Sequence, residues 1–164
     1  MRVPYMPNPP LTSSPEEEAI VAAIAARHHP RPIQPLDLAL LHSPHVAAGW
    51  NTFVGAIRTK TSLADDLREL AIYRIAVVNR AWYEWMHHEP LAVNSGVSSE
   101  SMNEIMKEGV KDETFEWFKS LASDQKVIEV VATVACYNCV SRFLVALDVG
   151  ERNNTVPEPL PKQL

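Results

Sequence analysis

The sequence is poor in the features that build β-sheets and tight turns. Only five of its 164 residues are glycine. The strict alternation of apolar and polar residues that marks half-buried strands is hard to find, whereas alanine-rich runs are common. These features predict an all-α protein. The hydrophobic fraction of 46% is enough to fill the core of one domain.

Further absences restrict the partners and the location that we expect. The chain has a net charge of −5 and no cluster of Lys and Arg, so nucleic acid is not an expected partner. The N-terminus lacks the apolar stretch of a signal peptide, and two cysteines are too few for a disulfide framework. The longest apolar run, 127–147, contains Glu129 and Arg142, which argues against a bilayer span. We therefore expect a soluble, cytoplasmic protein with no membrane partner.

The chain divides into three predicted segments. Residues 1–13 hold four of the 13 prolines and predict an extended arm, either disordered or laid over a neighbouring subunit. Residues 14–150 are predicted to form a single all-α domain. Residues 151–164 form a polar tail.

Capping residues and breaks predict about eight helices in this domain. Ser14-Pro15 and Ser43-Pro44 each join a capping serine to a proline at the first helical position, which predicts helices ending near 27 and 57, with a short helix over 36–41 between them. Ser62 is predicted to cap the next helix, and Asn79-Arg80 is predicted to mark a break after it. Further helices are expected over about 81–93, 98–108, 113–121 and 124–149, with Gly150 closing the last. The buried face of the helix after Ser62 is predicted to contain Leu67, Leu70, Ala71, Ile75 and Val78.

The segment 82–88, with the sequence WYEWMHH, is the strongest candidate for a functional site. Glu84 and His88 are four residues apart and project from one helical face. A carboxylate beside an imidazole orients the ring and raises its pKa, which suits proton transfer near neutral pH. The same spacing also occurs in ordinary surface ion pairs, which contribute little to stability.

The aromatic residues around this pair favour a pocket wall. Trp82, Tyr83 and Trp85 surround it, although some of these rings could equally belong to the core. His87 points about 100° away from His88 on a helix, so the two histidines need not share a role. The HExxH pattern is absent and no third ligand is evident beside Glu84 and His88, so no metal site is predicted.

Two other groups of residues allow functional and structural interpretations. Cys136 and Cys139 have the CxxC spacing of redox proteins, but they lie inside an apolar helix and are better explained as buried small hydrophobes. His42 and His45 flank Ser43-Pro44 and either cap the helix or line a pocket. The arginines available to hold an anionic substrate, each of which could instead be a surface residue or a carboxylate's partner, are Arg68, Arg74, Arg80 and Arg142.

The sequence resembles the carboxymuconolactone decarboxylase family, which is related to the alkyl-hydroperoxidase D-like proteins. The resemblance extends from about 31 to 149. The stretches that carry it are Leu40-Leu41-His42-Ser43-Pro44, Arg68-Glu69-Leu70-Ala71-Ile72, Tyr83-Glu84-Trp85, His88, Pro90-Leu91-Ala92 and Val140-Ser141-Arg142-Phe143-Leu144.

The resemblance implies an all-α fold around a helical hairpin, assembled as a trimer or hexamer. The family's peroxidase branch has a glutamate, a Cys-x-x-Cys pair and a histidine, which correspond here to Glu69, to positions 81 and 84, and to His88. Those two positions hold Ala81 and Glu84, so thiol chemistry is not expected at this site. The decarboxylase branch lacks the thiols and uses acid–base residues on an unsaturated lactone.

We therefore expect a cofactor-independent lyase or isomerase that acts on a small unsaturated lactone, carboxylate or polyketide-type metabolite, for instance in secondary metabolism. His88 is the predicted general acid or base, oriented by Glu84 or Glu69, and Tyr83 the predicted hydrogen-bond donor to a developing enolate. The alternatives are a non-catalytic small-molecule-binding or structural oligomer and a peroxidase-like protein. The predicted substrate-binding residues are Tyr83, Trp82, His87, Arg74, His42 and Trp50.

Overall fold

The computed structural model describes residues 1–105, 120 and 122–157. In these ranges it contains seven α-helices, no strand and one short 3₁₀ helix, which confirms the predicted all-α class. The α-helices are α1 (Pro15–His28), α2 (Pro35–Leu40), α3 (Pro44–Thr59), α4 (Asp65–Asn79), α5 (Trp82–Asn94), α6 (Ser99–Ile105) and α7 (Asp124–Leu147), and the 3₁₀ helix spans Val149–Glu151. The helix predicted over 113–121 and the end of the one predicted over 98–108 lie outside the described residues.

Local capping chemistry sets the start of the first helix. The Ser14 hydroxyl accepts a hydrogen bond from the Glu17 backbone N–H at 3.2 Å, and Pro15 occupies the first turn, where its missing N–H has no partner to lose. Glu17 in turn accepts from the Ser13 backbone N–H at 2.6 Å. Each of these bonds satisfies a donor that the helix itself leaves free.

The start of α4 differs from the prediction. The helix begins at Asp65 with Ala64 in the capping position and no side-chain cap, so the predicted cap at Ser62 is wrong. The Ser62 backbone N–H and hydroxyl instead donate to the Glu129 carboxylate on α7, the hydroxyl at 2.6 Å. Ser62 therefore ties the end of the α3–α4 loop to the long C-terminal helix.

The face that α4 buries is also rotated from the predicted one. Val78, predicted to be buried, is 56% exposed, and Ile75 is the one predicted residue that the structure classes as buried. The helix packs against both α5 and α7, which requires apolar contact on more than one stripe. The buried residues of α4 are Glu69, Ile72, Tyr73, Ile75 and Ala76.

Helices α4 and α5 form an antiparallel hairpin at the predicted break. Arg80 takes a left-handed conformation with φ of 53°, and its backbone N–H bonds to the Val77 carbonyl at 3.1 Å. This single reversal directs α5 back along α4. As a result the N-terminal half of α5 lies beside the middle of α4.

Helix α7 is the central helix of the domain. Its buried residues Cys136, Tyr137, Val140 and Leu144 share one core cluster with side chains of α3, α4 and α5. The helix ends at Leu147, two residues before the predicted end at 149, and its C-cap Asp148 is left-handed with φ of 54°. Residues Gln125–Leu147 are long and apolar enough to cross a membrane by length and composition alone, a test that the core helix of a soluble protein also passes.

The proline-rich arm lies against its own chain. The Arg2 backbone N–H donates to the Leu147 carbonyl at 2.7 Å, and the Met6 backbone N–H to the Leu38 carbonyl at 3.2 Å. The Tyr5 hydroxyl accepts a hydrogen bond from the Gly150 backbone N–H at 2.7 Å. These contacts fasten the arm across α2 and the end of α7.

Candidate active site

Glu69 on α4 and His88 on α5 form a buried pair. The Oε2 atom of Glu69 lies 2.7 Å from Nδ1 of His88, and the two residues are 3% and 6% exposed. The α4–α5 hairpin creates this contact, because it places residues 19 positions apart in sequence side by side. A carboxylate at this distance fixes the orientation of the imidazole ring.

The surroundings of this pair favour an ionised glutamate and a neutral histidine. Burial lowers the pKa of His88, and the hydrogen bond to Glu69 offsets only part of that decrease. Burial raises the pKa of Glu69, but the hydrogen bond and charge of His88, aided by Arg58 and Arg68, bring it below its usual value. Nδ1 of His88 then carries the ring proton and donates a hydrogen bond to Glu69, which leaves Nε2 with a free lone pair. His88 is thus equipped to act as a base.

Glu84 on α5 is bonded to α7 rather than to His88. Its Oε2 accepts a hydrogen bond from the Ser141 hydroxyl at 2.8 Å, and its Oε1 is buried with no hydrogen-bond partner among the described residues. Burial raises the pKa of Glu84 well above its usual value, against a smaller opposite effect of Ser141. Burial therefore favours the protonated form of the Glu84 carboxyl and the neutral form of the His88 imidazole, which lie on the same helix.

Glu84 and His88 both line an inner cavity of about 80 Å³. Residues from α1, α2, α3, α5 and α7 surround it. Its volume suits a few non-hydrogen atoms and is well below the roughly 300–1,000 Å³ of a typical ligand pocket. The polar and aromatic side chains around it, besides Glu84 and His88, are Arg27, His28, Gln34, Asp37, Trp50, Arg58, Tyr83, His87 and Tyr137.

An outer cavity of about 380 Å³ shares Arg27, His28 and Arg58 with the inner one. Four arginines line the outer cavity against two carboxylates, so its walls carry a net positive charge. Arg58 forms no hydrogen bond or close ion pair within the described part of the chain, which leaves its guanidinium available to an anion. The charged residues of the outer cavity are Arg27, Arg31, Arg58, Arg68, Asp65 and Glu69.

A second carboxylate–imidazole contact lies where the two cavities meet. The Oδ2 atom of Asp37 lies 2.7 Å from Nε2 of His28, and its Oδ1 accepts from Nη2 of Arg27 at 2.8 Å. Asp37 is 3% exposed, and a carboxylate so deeply buried needs such partners. Asp37 therefore fixes the side chains of His28 and Arg27 at the junction of the cavities.

Three of the predicted substrate-binding residues line the inner cavity: Trp50, Tyr83 and His87. The Trp50 ring packs against Phe143 with centroids 5.4 Å apart. His87 contacts the Tyr83 ring at 4.3 Å, and its Nδ1 lies 2.8 Å from the Tyr83 carbonyl oxygen. His87 thus shares the cavity with His88 although the two side chains leave the helix in different directions.

The other three predicted substrate-binding residues lie outside both cavities; they are Trp82, His42 and Arg74. Trp82 is buried in the fold. His42 is exposed, with Nε2 2.6 Å from the Pro4 carbonyl oxygen of the N-terminal arm. Arg74 is partly buried, and burial lowers its pKa. Among the other candidate arginines, Arg68 lines the outer cavity, whereas Arg80 and Arg142 are exposed.

Residues outside the motif supply much of the site. Arg58, His28, Asp37 and Tyr137 line the inner cavity but were not singled out from the sequence. Only the i, i+3, i+7 spacing of Tyr137, Val140 and Leu144 could have indicated that one face of α7 turns toward the site.

The two cysteines are in different environments. Cys136 is buried as predicted, but Cys139 is exposed, and both are free thiols. The prediction that both are buried is therefore wrong for Cys139, because the face of α7 that carries it is not covered by the described residues. Burial raises the pKa of the Cys136 thiol to about 12, which keeps it protonated and unreactive.

The site offers acid–base groups rather than a set of metal ligands. Within the described ranges no three His, Cys, Asp or Glu side chains converge closely enough to bind a metal ion. The arrangement places the His88 imidazole, the Glu84 carboxyl and the Arg58 guanidinium around one cavity.

Comparison with known proteins gives a family match over part of the chain. Residues 44–112 match the model of the carboxymuconolactone decarboxylase family, which confirms the resemblance found in the motifs. The matched segment holds Glu69, Glu84 and His88 but ends before Tyr137 and begins after His28 and Asp37. No curated protein and no solved structure matches the chain.

Proposed function

We propose that the chain, of which residues 44–112 match the model of the carboxymuconolactone decarboxylase family, is a cofactor-independent lyase or isomerase that moves protons on a small anionic substrate. One observation carries this proposal. His88, whose ring is hydrogen-bonded to Glu69, and Glu84 line the same cavity, and burial shifts the pKa of His88 down and the pKa of Glu84 up. Pairs of groups whose environments shift their pKa values apart are typical of acid–base active sites.

In the lyase version, Glu84 is the proton donor. The bond between a carboxylate carbon and its neighbour breaks, CO₂ leaves, and the bonding electron pair moves into a conjugated carbonyl group to give a dienolate. The Glu84 carboxyl then transfers its proton to carbon and becomes a carboxylate, which regains a proton from solvent. The substrate is its own electron sink, so the protein only has to supply the proton and stabilise negative charge.

In the isomerase version, His88 is used as well. Its Nε2 removes a proton from a carbon next to a carbonyl group, and Glu84 returns a proton at a different carbon. The protons then redistribute between the imidazolium and the Glu84 carboxylate, so the net reaction is a double-bond shift. Glu69 acts as a positioning residue in this version, because it holds the His88 ring in one orientation and tautomer.

The two cavities support a substrate with a small reacting end and an anionic remainder. The inner cavity of about 80 Å³ accepts only a few atoms, whereas the outer cavity of about 380 Å³ carries the surplus of arginines. Arg58 lines both cavities and is the best placed cation to bind a carboxylate that stays on the substrate. An unsaturated lactone or a β-keto acid that retains a carboxylate after the reaction has this form.

The test is turnover of a panel of unsaturated lactones and β-keto acids, followed by ¹H NMR in D₂O, which reports both CO₂ loss and deuterium incorporation. We expect turnover by the wild type and a loss of about 10²-fold or more in Glu84→Gln for either reaction, and in His88→Gln for the double-bond shift, which uses His88 as a base. The matched control is Glu89→Gln, which alters a carboxylate of the same helix that lines neither cavity. Full turnover in both active-site variants would disprove the mechanism.

We also propose that the chain self-associates through α7. An exposed stripe with helical spacing runs along that helix and contains Ile128, at 67% exposure, and Val131, at 49%. The stripe continues through Ala135, Cys139, Arg142 and Ala146. Sedimentation velocity of the wild type and of Ile128→Glu tests this: a shift of the variant toward monomer supports the proposal, and a monomeric wild type overturns it.

A further inference from the structure

Tyr137 is a buried phenol beside the acid–base groups. The residue lies on α7, is 2% exposed and lines the inner cavity. Its ring meets the His88 ring edge-on, with centroids 5.2 Å apart and planes at 87°. The charges of Arg58, Glu69 and Glu84 all act on its hydroxyl, which places it among the residues proposed to carry the reaction.

The Tyr137 hydroxyl has no hydrogen-bond partner within the described ranges. A buried hydroxyl without a partner destabilises a fold relative to a satisfied one, and phenylalanine would fill the same space without that loss. Burial raises the pKa of this phenol, against a smaller opposite effect of Arg58. Tyr137 is therefore a hydrogen-bond donor at neutral pH with nothing in the described part of the chain to accept its proton.

Tyr83, the residue that the sequence predicts as hydrogen-bond donor to a developing enolate, is placed differently from Tyr137. Burial raises the pKa of the Tyr83 phenol, and the backbone of Leu36 interacts with its hydroxyl. Its ring also packs closely against Gly150, where an added Cβ would lie 2.3 Å from Tyr83 Cδ2. The Tyr83 hydroxyl also lacks a hydrogen-bond partner of good geometry among the described residues, but the Tyr83 ring packs against His87, whereas the Tyr137 ring meets the proposed base His88.

We propose that the Tyr137 O–H donates a hydrogen bond to the oxyanion that develops on the substrate, which makes Tyr137 a catalytic residue and the substrate a carbonyl compound that passes through an enolate or dienolate. As electrons move onto the carbonyl oxygen, the oxygen becomes a stronger acceptor, so this bond stabilises the transition state more than the ground state. No proton is transferred: the phenol keeps its proton, and Glu84 protonates carbon. The inference rests on the proposed function, and Tyr137 lies outside the segment 44–112 that the family model matches.

The test compares Tyr137→Phe with Tyr73→Phe, each of which removes only a hydroxyl. Tyr73 is also fully buried, but it belongs to a separate cluster with Ala92 and Met102 and lines neither cavity. For Tyr137→Phe we expect kcat to fall about 10²–10³-fold, as for loss of one oxyanion-hole donor, with little change in KM. Its thermal midpoint should be unchanged or higher, because an unsatisfied polar group has been removed. Tyr73→Phe should keep kcat.

The outcomes separate this inference from the proposed function. Full turnover in Tyr137→Phe, with Glu84→Gln inactive, overturns the role of Tyr137 and leaves the proton-transfer site standing. A lower thermal midpoint together with lost turnover in Tyr137→Phe shows a structural role and also overturns it. A wild type that converts no lactone or β-keto acid of the panel refutes the proposed function, and the oxyanion role falls with it.

Discussion

Nδ1 of His88 lies 2.7 Å from Oε2 of Glu69 in the interior of the α4–α5 hairpin. Glu69→Gln replaces the charged acceptor by a neutral amide of nearly the same shape. We expect kcat to fall about 10²-fold or more, because the ring loses the partner that fixes its tautomer and stabilises its protonated form. Steady-state kinetics beside the Glu89→Gln control measures this. Unchanged kcat would show that Glu69 does not position His88.

Glu84→Gln should separate activity from stability. The folded-state pKa of Glu84 is raised, so the folded protein binds this proton more tightly than the unfolded chain does. Its contribution to stability is present at low pH and is lost as the pH rises above the unfolded value of 4.5 through the folded value. Glutamine resembles the protonated carboxyl and does not titrate.

The expected result is a Glu84→Gln variant that is inactive but more stable than the wild type above the folded-state pKa of Glu84. Urea unfolding from pH 5 to pH 9 measures the difference. A difference in the free energy of unfolding between the two proteins that widens with pH supports the account. A gap that is constant across this range would mean that Glu84 is not buried in its protonated form.

The Gly150 position should tolerate no side chain. Its φ is +73°, and an added Cβ would lie 2.3 Å from Tyr83 Cδ2. Gly150→Ala should therefore destabilise the fold by about 1–3 kcal/mol or more and disturb Tyr83 in the inner cavity. The matched control is Gly49→Ala in α3, where nothing lies within 4 Å and a gain of about 0.5–1 kcal/mol is expected. Thermal denaturation of both variants is the measurement, and equal effects would contradict the packing described.

The cysteines should differ in reactivity. Cys139 is exposed, whereas Cys136 is buried with a pKa of about 12. Iodoacetamide added to the native protein at pH 8 should label Cys139 and leave Cys136 unmodified until urea is added, as peptide mass spectrometry will show. Rapid labelling of Cys136 in the native protein would restore the peroxidase alternative, which needs a reactive thiolate.

The parts of the fold that could be predicted depend on neighbours in the sequence. The start of α1 follows from Ser14 and Pro15, and the break before α5 follows from Asn79-Arg80, because caps and breaks are decided within a few residues. Ser62 shows the limit of such reasoning, since its hydroxyl binds Glu129 on a helix 67 residues away. No local pattern separates that contact from a cap.

Only the site residues that belong to the family motif could be predicted from the sequence. Glu69 and His88 were paired through the family motif, and spacing alone suggested Glu84 as the partner of His88. The structure bonds Glu84 to Ser141, 57 residues away, because α7 packs across the hairpin. His28, Asp37, Arg58 and Tyr137 reach the cavity through the packing of α1, α2, α3 and α7, which no spacing within one helix reveals.

The most direct test of the central claim is the protonation state of Glu84 and His88 in the folded protein. A titration of the wild type followed by ¹³C NMR of the Glu84 carboxyl and ¹⁵N NMR of the His88 ring measures both. The account predicts that at pH 7 Glu84 is protonated, while His88 is neutral with its proton on Nδ1 toward Glu69. An ionised Glu84 that titrates near 4.5, together with a His88 that titrates near 6.5, would contradict it, because the cavity would then lack its acid and its preset base.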